Sequence, residues 1–372
     1  MYKEFGLKDE FNRSIGYNEL YLEYFINDLN DFILNNSFMN EYDFAKKKLM
    51  SFEIKNNNNI EGIKDDILTI EKAVNKNEYK NIKRIHNLFE GYKYILLNKE
   101  INKENLRELY RILSDELLEE KYKNNMDYYR KGPVYILRGN NLCLEPFNGM
   151  DHNRLNYFMD MFFDYVNSNN DLDSINLFIK SQIMHYYFVY VHPYFDVNGR
   201  TSRTVSLWYL LNNKSYPYVI FNDAISFCKN KYEKSIILSR SKSNITAFLE
   251  FMLIQVKKEL EKEAIINSII INTDEKLTND EIEIINYILT MNGNITVKDI
   301  SWFYNQFNNK KPPVFISNNL INKMIDKNIL LFKGYTKSYV DKDNLNYKLE
   351  LNKDNIKVDS DRIKYIKNDK YM

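Results

Sequence analysis

Glycine and proline are scarce in this chain, 10 and 6 of 372 residues, and that scarcity limits what it can fold into. Both residues punctuate a backbone. Glycine supplies turns that need positive φ, and proline ends helices and is kept out of strand ladders. A chain with few of either, and with apolar residues three and four apart, reads as mainly α. Residues 17–50 carry Leu20, Tyr24, Phe25, Leu29 and Phe32 in an amphipathic pattern. The pattern continues over 60–120 through Ile82, Ile85, Leu88, Phe89, Tyr92 and Ile95, then Leu106, Leu109, Tyr110 and Leu113. Asn153 to Val166 predicts another helix, and Tyr232 to Glu263 one or two more. Ile175 to Val191 is apolar on nearly every face, as expected of a helix buried at the centre of a bundle.

Before residue 270 the β signal is nearly confined to Tyr129–Pro146, two short strands around Gly139-Asn140-Asn141. From 274 to 350 the pattern changes. Helices are predicted from Leu277-Thr278-Asn279-Asp280-Glu281, from Ile295 to Ile300 onward, and over Pro313 to Ile329, followed by a strand-turn-strand over Leu330 to Val340. Residues 351–372 alternate charges without an apolar stripe. At 44% hydrophobic and 15% aromatic, the chain can bury a sizeable core in about two or three domains. A net charge of +1 gives no global basic field for nucleic acid. Cys143 and Cys228 are far apart, which predicts a reduced compartment, and no Cys/His cluster suggests zinc. Met1–Gly6 lacks the apolar core of a signal peptide and no apolar run is long enough to span a membrane, so a cytoplasmic protein is expected.

The chemistry concentrates in twelve residues, His192-Pro193-Tyr194-Phe195-Asp196-Val197-Asn198-Gly199-Arg200-Thr201-Ser202-Arg203. They combine a base, a carboxylate, an Asn-Gly turn and two arginines. Together those parts are suited to holding a nucleotide's phosphates beside a group that can deprotonate a hydroxyl. His192 is the natural base, because imidazole titrates near neutral pH. Asp196 can ligate magnesium, with phosphate oxygens and waters completing the shell. Val205 to Leu211 predicts a helix beginning near Gly199 or Arg200. Its N-terminus, with the Asn198-Gly199 turn, favours bound anions. Arg200 and Arg203, one turn apart, can each bind phosphate oxygens. His185, two turns before His192, is expected to pack behind the site, while His86 and His152 carry no pattern.

This run closely resembles the signature of the Fic family, His-Pro-Phe-x-(Asp/Glu)-(Gly/Ala)-Asn-Gly-Arg-x-x-Arg. Tyr194 stands in for the Phe. Val197 replaces a small residue with a β-branched side chain that restricts φ where backbone approaches phosphate. The resemblance covers roughly residues 50–255. It implies a helical Fic-type core with a small β-hairpin flap. It implies transfer of AMP from ATP to a Ser, Thr or Tyr hydroxyl of a target protein, or of the chain itself, with Mg2+. It also assigns roles: His192 as base, Asp196 on the metal, and Asn198, Gly199, Arg200 and Arg203 on phosphates.

Upstream, Asn57-Asn58-Asn59-Ile60-Glu61-Gly62 reads by itself as an Asn-rich loop capping a helix that continues through Ile67, Leu68, Ile70 and Val74. It also resembles the family's inhibitory motif, (Ser/Thr)-x-x-x-Glu-(Gly/Asn), with Asn57 replacing the hydroxyl residue. On that resemblance Glu61 pairs with Arg203 and fills the space of the ATP γ-phosphate. The hairpin at 129–146 matches the flap, which holds a target segment by strand addition. Three helices and a hairpin after 274 resemble a winged helix. The expected organisation is an N-terminal helical region with the inhibitory motif over 1–76 and the catalytic core over 77–265. A winged-helix-like domain over 272–350 and a charged tail over 351–372 complete it.

Rival readings stay open. AMP removal would use Glu61 to position water. Another nucleotidyl or phosphoryl transfer could run on the same fold, although Gly199 argues against the kinase-like relatives, which carry Lys there. A DNA-binding regulator with a weakened core is the third. The helix Ser317 to Met324 has one lysine among asparagines, so nucleic-acid affinity through 272–350 is expected to be modest. Whether the chain forms a homodimer is left open.

Overall fold

The computed structural model describes residues 1–36, 47–63, 70, 82–123, 128–136, 147–168, 172–226, 228–240, 243–273, 277–290, 295–307, 311–335 and 347–352. The chain divides into two units, residues 1–257 and 258–372. The first opens with an antiparallel hairpin, β1 (Tyr2–Lys8) and β2 (Ser14–Asn18). Helices α1 (Glu19–Leu34), α2 (Lys47–Ile60), α3 (Lys83–Leu97) and α4 (Lys103–Ser114) follow. A two-residue ladder, β3 (Tyr135–Ile136) with β4 (Phe147–Asn148), interrupts the helical series. Then come α5 (Leu155–Asn167), α6 (Ser174–Val191), α7 (Asn198–Asn212), α8 (Phe221–Ser226), α9 (Lys229–Arg240) and α10 (Thr246–Thr273).

Helix α6 is the centre of this unit, as its all-round apolar sequence predicts. All of it is buried except Ser174, Asn176 and Val189. Asp173 starts it, its Oδ1 accepting the N–H of Asn176 at 2.9 Å. Helix α7 packs along α6 through small residues, and the Ser206 hydroxyl donates to the Ser181 carbonyl at 2.9 Å. Trp208, fully buried on α7, donates its indole N–H to the Asn98 carbonyl at the end of α3. These contacts hold α6 and α7, the two helices that flank the loop between them.

The N-terminal hairpin was not expected from sequence. Strand β1 exposes most of its residues, and the hairpin lacks an Asn-Gly or Asp-Gly turn. Tertiary contacts hold it. Asp9 accepts the N–H groups of Phe11 and Arg13 at 2.9 and 2.8 Å, closing the turn. The Tyr187 hydroxyl donates to the Lys8 carbonyl, and Ile245 N–H donates to the Gly16 carbonyl. A Cβ on Gly16 would lie 2.4 Å from the Lys3 carbonyl oxygen, so the ladder requires glycine there.

The segment Asn57–Gly62 needs a second correction. It is the end of a helix rather than a loop. Helix α2 runs into it, and Gly62 stops the helix at φ +83°. Gly62 N–H donates to the Asn59 carbonyl and Ile63 N–H to the Asn58 carbonyl, both at 2.9 Å. This double bond pattern is a Schellman cap with Glu61 at the C-cap position. The expected continuation through Ile67, Leu68 and Val74 lies outside the described residues.

In the second unit, α11 (Asn279–Thr290), β5 (Ile295–Thr296) and α12 (Val297–Phe307) precede a continuous helical stretch. That stretch runs Pro313–Ile316, Ser317–Ile321 wound as a π-helix, and Asn322–Asp326. Strands β6 (Leu330–Tyr335) and β7 (Tyr347–Leu351) complete an antiparallel sheet in the order β5-β7-β6. Ile284, Ile285, Val297, Ile300, Met324 and Leu349 form part of its buried core. The returning strand expected by Val340 falls outside the described residues, as does the tail from 353.

Candidate active site

His192 follows the last residue of α6 and sits in the left-handed region, φ 54° and ψ 61°. The helix therefore ends at the histidine and the ring turns off its axis. Its Nδ1 lies 3.3 Å from the Val189 carbonyl oxygen, which can only accept. That contact selects the tautomer with hydrogen on Nδ1 and leaves a lone pair on Nε2. Burial pulls the imidazole pKa down to about 4, with the charges of Arg130 and Arg240 acting the same way against the Val189 carbonyl and Glu61. At neutral pH the ring is uncharged and able to take a proton.

The loop after His192 is held from inside. Tyr194 is buried and stacks on Tyr110, with 3.5 Å between ring centroids. The Asn198 side chain closes the loop, accepting from Tyr194 N–H at 3.0 Å and donating to the Tyr194 carbonyl at 2.8 Å. Both of its polar atoms are thus used in shaping the loop, and what Asn198 offers a phosphate is its backbone N–H. Asp196 is exposed, with Oδ1 accepting the Val197 N–H at 2.6 Å and Oδ2 without a partner among the described residues. Val197 takes φ 66°, a conformation a β-branched residue rarely adopts. Its side chain is buried, which anchors the turn despite that cost.

Helix α7 begins at Asn198 with no side-chain cap, so its first-turn N–H groups remain open to an anion. The buried Nε of Arg200 has no hydrogen-bond partner. Arg203, 1% exposed, is fully engaged from α2. Its Nε and Nη2 donate to Asn57 Oδ1 at 3.1 and 2.8 Å, and Nη2 also donates to Glu61 Oε1 at 2.5 Å. Burial would raise the Glu61 pKa, but the Arg203 charge and hydrogen bond, with Arg200 and Lys229, hold the carboxyl below its usual range. A Cβ on Gly199 would lie 2.8 Å from Glu61 Oε1 and 3.2 Å from Arg203 Nη1. Glycine at 199 is what lets the ion pair sit on the helix N-terminus.

His185 lies behind this pair, as the sequence suggested. Its Nε2 is 2.8 Å from the Tyr232 hydroxyl and its Nδ1 3.3 Å from Gln182 Oε1. Tyr232 in turn contacts Arg203.

Arg130 was missed as a site residue. It is 2% exposed, and its guanidinium donates to the carbonyls of His192, Gly132 and Met150 at 2.8, 2.6 and 2.5 Å. It therefore ties the histidine turn to the base of the β3–β4 hairpin, where Gly149 N–H donates to the Val134 carbonyl. No local pattern announces such a residue, because its three acceptors come from three separate segments. The hairpin's expected Gly139-Asn140-Asn141 turn and Cys143 lie outside the described residues.

The site fits a bound polyphosphate. The unpartnered Arg200 Nε, the open α7 N-terminus and Arg203 all face one region, and Glu61 is the carboxylate that now occupies it. No group of three His, Cys, Asp or Glu side chains able to hold a metal occurs among the described residues. The donor set for magnesium would be Asp196 with substrate oxygens and water.

Residues 100–210 match the Fic/DOC family. That segment contains the whole His192–Arg203 run, and with the helical fold it supports a Fic family protein, a class consistent with nucleotidyl or phosphoryl transfer in general. Among solved structures, a Fic family protein from Desulfovibrio desulfuricans is similar over 89% of this chain and 95% of that one, at 18% identity and a TM-score of 0.50. At that identity the likeness is one of fold. Fic-1 from C. elegans aligns over 66% of this chain and 72% of that one, at 14% identity and a TM-score of 0.48. A Fic domain containing signaling protein from Bacteroides thetaiotaomicron aligns over 66% and 94%, at 17% identity and a TM-score of 0.47. No curated protein matches the chain. No helix among the described residues is long and apolar enough to cross a membrane.

Proposed function

We propose that this chain is a protein adenylyltransferase, moving AMP from ATP to a hydroxyl of a target protein or of itself, and that Glu61 restrains it. The observation that carries the reading is the direct pairing of Glu61 with Arg203 at the start of α7, beside a neutral histidine with a free Nε2. On this reading His192 Nε2 takes the proton of the attacking hydroxyl. The hydroxyl oxygen bonds to the α-phosphorus, and the bond to the bridging oxygen breaks to release pyrophosphate. Arg200, Arg203 and the N–H groups of Asn198 and Gly199 neutralise the phosphates. Magnesium bound through Asp196 would add further charge neutralisation. Strand β3 would hold the target segment by strand addition. The second unit would serve as a winged-helix-like module, its three helical segments and three-stranded sheet supporting that reading. A cytoplasmic location belongs to the same proposal.

AMP removal is the second reading, favoured by the same carboxylate. Glu61 is ionised and lies where it could orient a water. The deciding experiment incubates wild-type and Glu61→Gly protein with a cell lysate, Mg2+, and ATP labelled on the α- or γ-phosphate. Transfer of the α label, stronger in Glu61→Gly, supports adenylylation under restraint. Transfer of the γ label only, or loss of label from a pre-modified target by wild type alone, rejects it.

A further inference from the structure

We propose that Lys229 is a third phosphate-binding cation, which contacts the outer phosphates of a nucleoside triphosphate once Glu61 has left. The proposal rests on the nucleotide reading given above and adds a residue to it. Lys229 is the first residue of α9, outside the His192–Arg203 run and outside the segment that matches the Fic/DOC family. Its ammonium reaches across to the end of α2, where a Cβ on Gly62 would lie 3.3 Å from Nζ. Glu61, the neighbour of Gly62, feels its charge together with those of Arg203 and Arg200.

Three cations from two helices therefore converge on one carboxylate. Among the described residues, Glu61 pairs directly only with Arg203. The Arg200 Nε is unpartnered, and the one ion-pair partner of Lys229 among the described residues is Glu233 at 3.8 Å, both side chains being partly exposed. Such an i,i+4 contact contributes little. With Glu61 in place the three cations are balanced, since Asp196 also acts on Arg200, Glu53 on Arg203 and Glu233 on Lys229; once Glu61 leaves, positive charge is in excess. A polyanion is the ligand that corrects it. A triphosphate reaches from the His192 side past Arg203 and brings its terminal charge to Lys229, whereas a monophosphate stops short. Lys229 then reads chain length: it adds affinity for the triphosphate and nothing for the monophosphate.

The test uses isothermal titration of ATP, ADP and AMP, with Mg2+, into full-length Glu61→Gly protein and into the same protein carrying Lys229→Gln or Lys229→Arg. Thermal melts confirm that all three variants fold. Lys229→Gln is expected to weaken ATP binding about tenfold, in line with one lost charge-assisted contact, and to leave AMP unchanged. Lys229→Arg should retain most of the ATP affinity. Equal ATP affinity in Lys229→Gln and its parent overturns the proposal, as does an equal loss for ATP and AMP. A folded Glu61→Gly parent that binds none of the three nucleotides overturns the nucleotide reading itself, and Lys229 falls with it.

Discussion

The histidine at the end of α6 carries a measurable signature. Its pKa is pulled down to about 4, mainly by burial. In the proposed role as base, His192 must be neutral, so the rate should hold level from about pH 8 down to about pH 5 and fall only as pH drops through about 4. The pH profile of kcat/KM in Glu61→Gly protein checks this, and an acidic limb near the ordinary imidazole value of about 6.5 would contradict it. Arg130 is the natural partner experiment. Lys cannot reproduce its three-carbonyl fork. Arg130→Lys should lower turnover by about ten- to a hundredfold through a misplaced His192, with ATP affinity nearly unchanged. Parallel losses in both would make Arg130 a folding residue only. Residue types and spacing, together with the resemblance to the Fic signature, brought His192, Asp196, Arg200 and Arg203 into view, because they lie within one loop and one helical turn. Arg130 stayed hidden because its acceptors at 132, 150 and 192 meet only after the chain has folded.

At the scale of elements, the two helix starts of the second unit could be read directly from sequence. Thr278 and Glu281 exchange side-chain to backbone bonds at 2.7 and 3.3 Å, and Thr296 with Asp299 does the same at 2.9 and 3.3 Å. The direction of α2 could not. Four asparagines in a row suggest a loop, yet Asn57 and Asn58 are fully buried inside the helix. Tertiary bonds to Arg203, Tyr92 and Asp223 use Asn56 and Asn57, and those partners are distant in sequence. Asn57→Ala should therefore raise AMP incorporation about three- to tenfold, less than Glu61→Gly, because Arg203 loses two hydrogen bonds and keeps its ion pair. An unchanged rate would leave Asn57 a packing residue. The β3–β4 ladder gives another test. Ile136→Pro should weaken target modification more than ATP binding, since proline blocks one strand edge. A matched loss would indicate misfolding.

Across the whole molecule, the helical character followed from the rarity of glycine and proline, while the first hairpin depends on Tyr187 and Ile245, far along the chain. Long-range contacts of that kind leave no local periodicity. The helical stretch after Pro313 offers one basic residue, Lys323, up to Asp326. Duplex DNA at physiological salt should accordingly bind weakly, above micromolar Kd, in a gel-shift titration. Nanomolar retention would favour the regulator reading. The position of Glu61 just past the final residue of α2 has its own consequence. On the proposed restraint, holding the site shut relies on one turn beyond the well-packed body of the helix, and helix ends open at far lower free energy than whole helices undock. Release then demands no domain rearrangement. A small tug on the chain past Gly62, from a partner, a ligand or a covalent mark, would unclasp Arg203. On the same proposal, restrained and released forms would differ by a few residues of backbone, and a crosslink pinning Ile63 to the core should hold AMP incorporation at its restrained level without touching the His192–Arg203 loop.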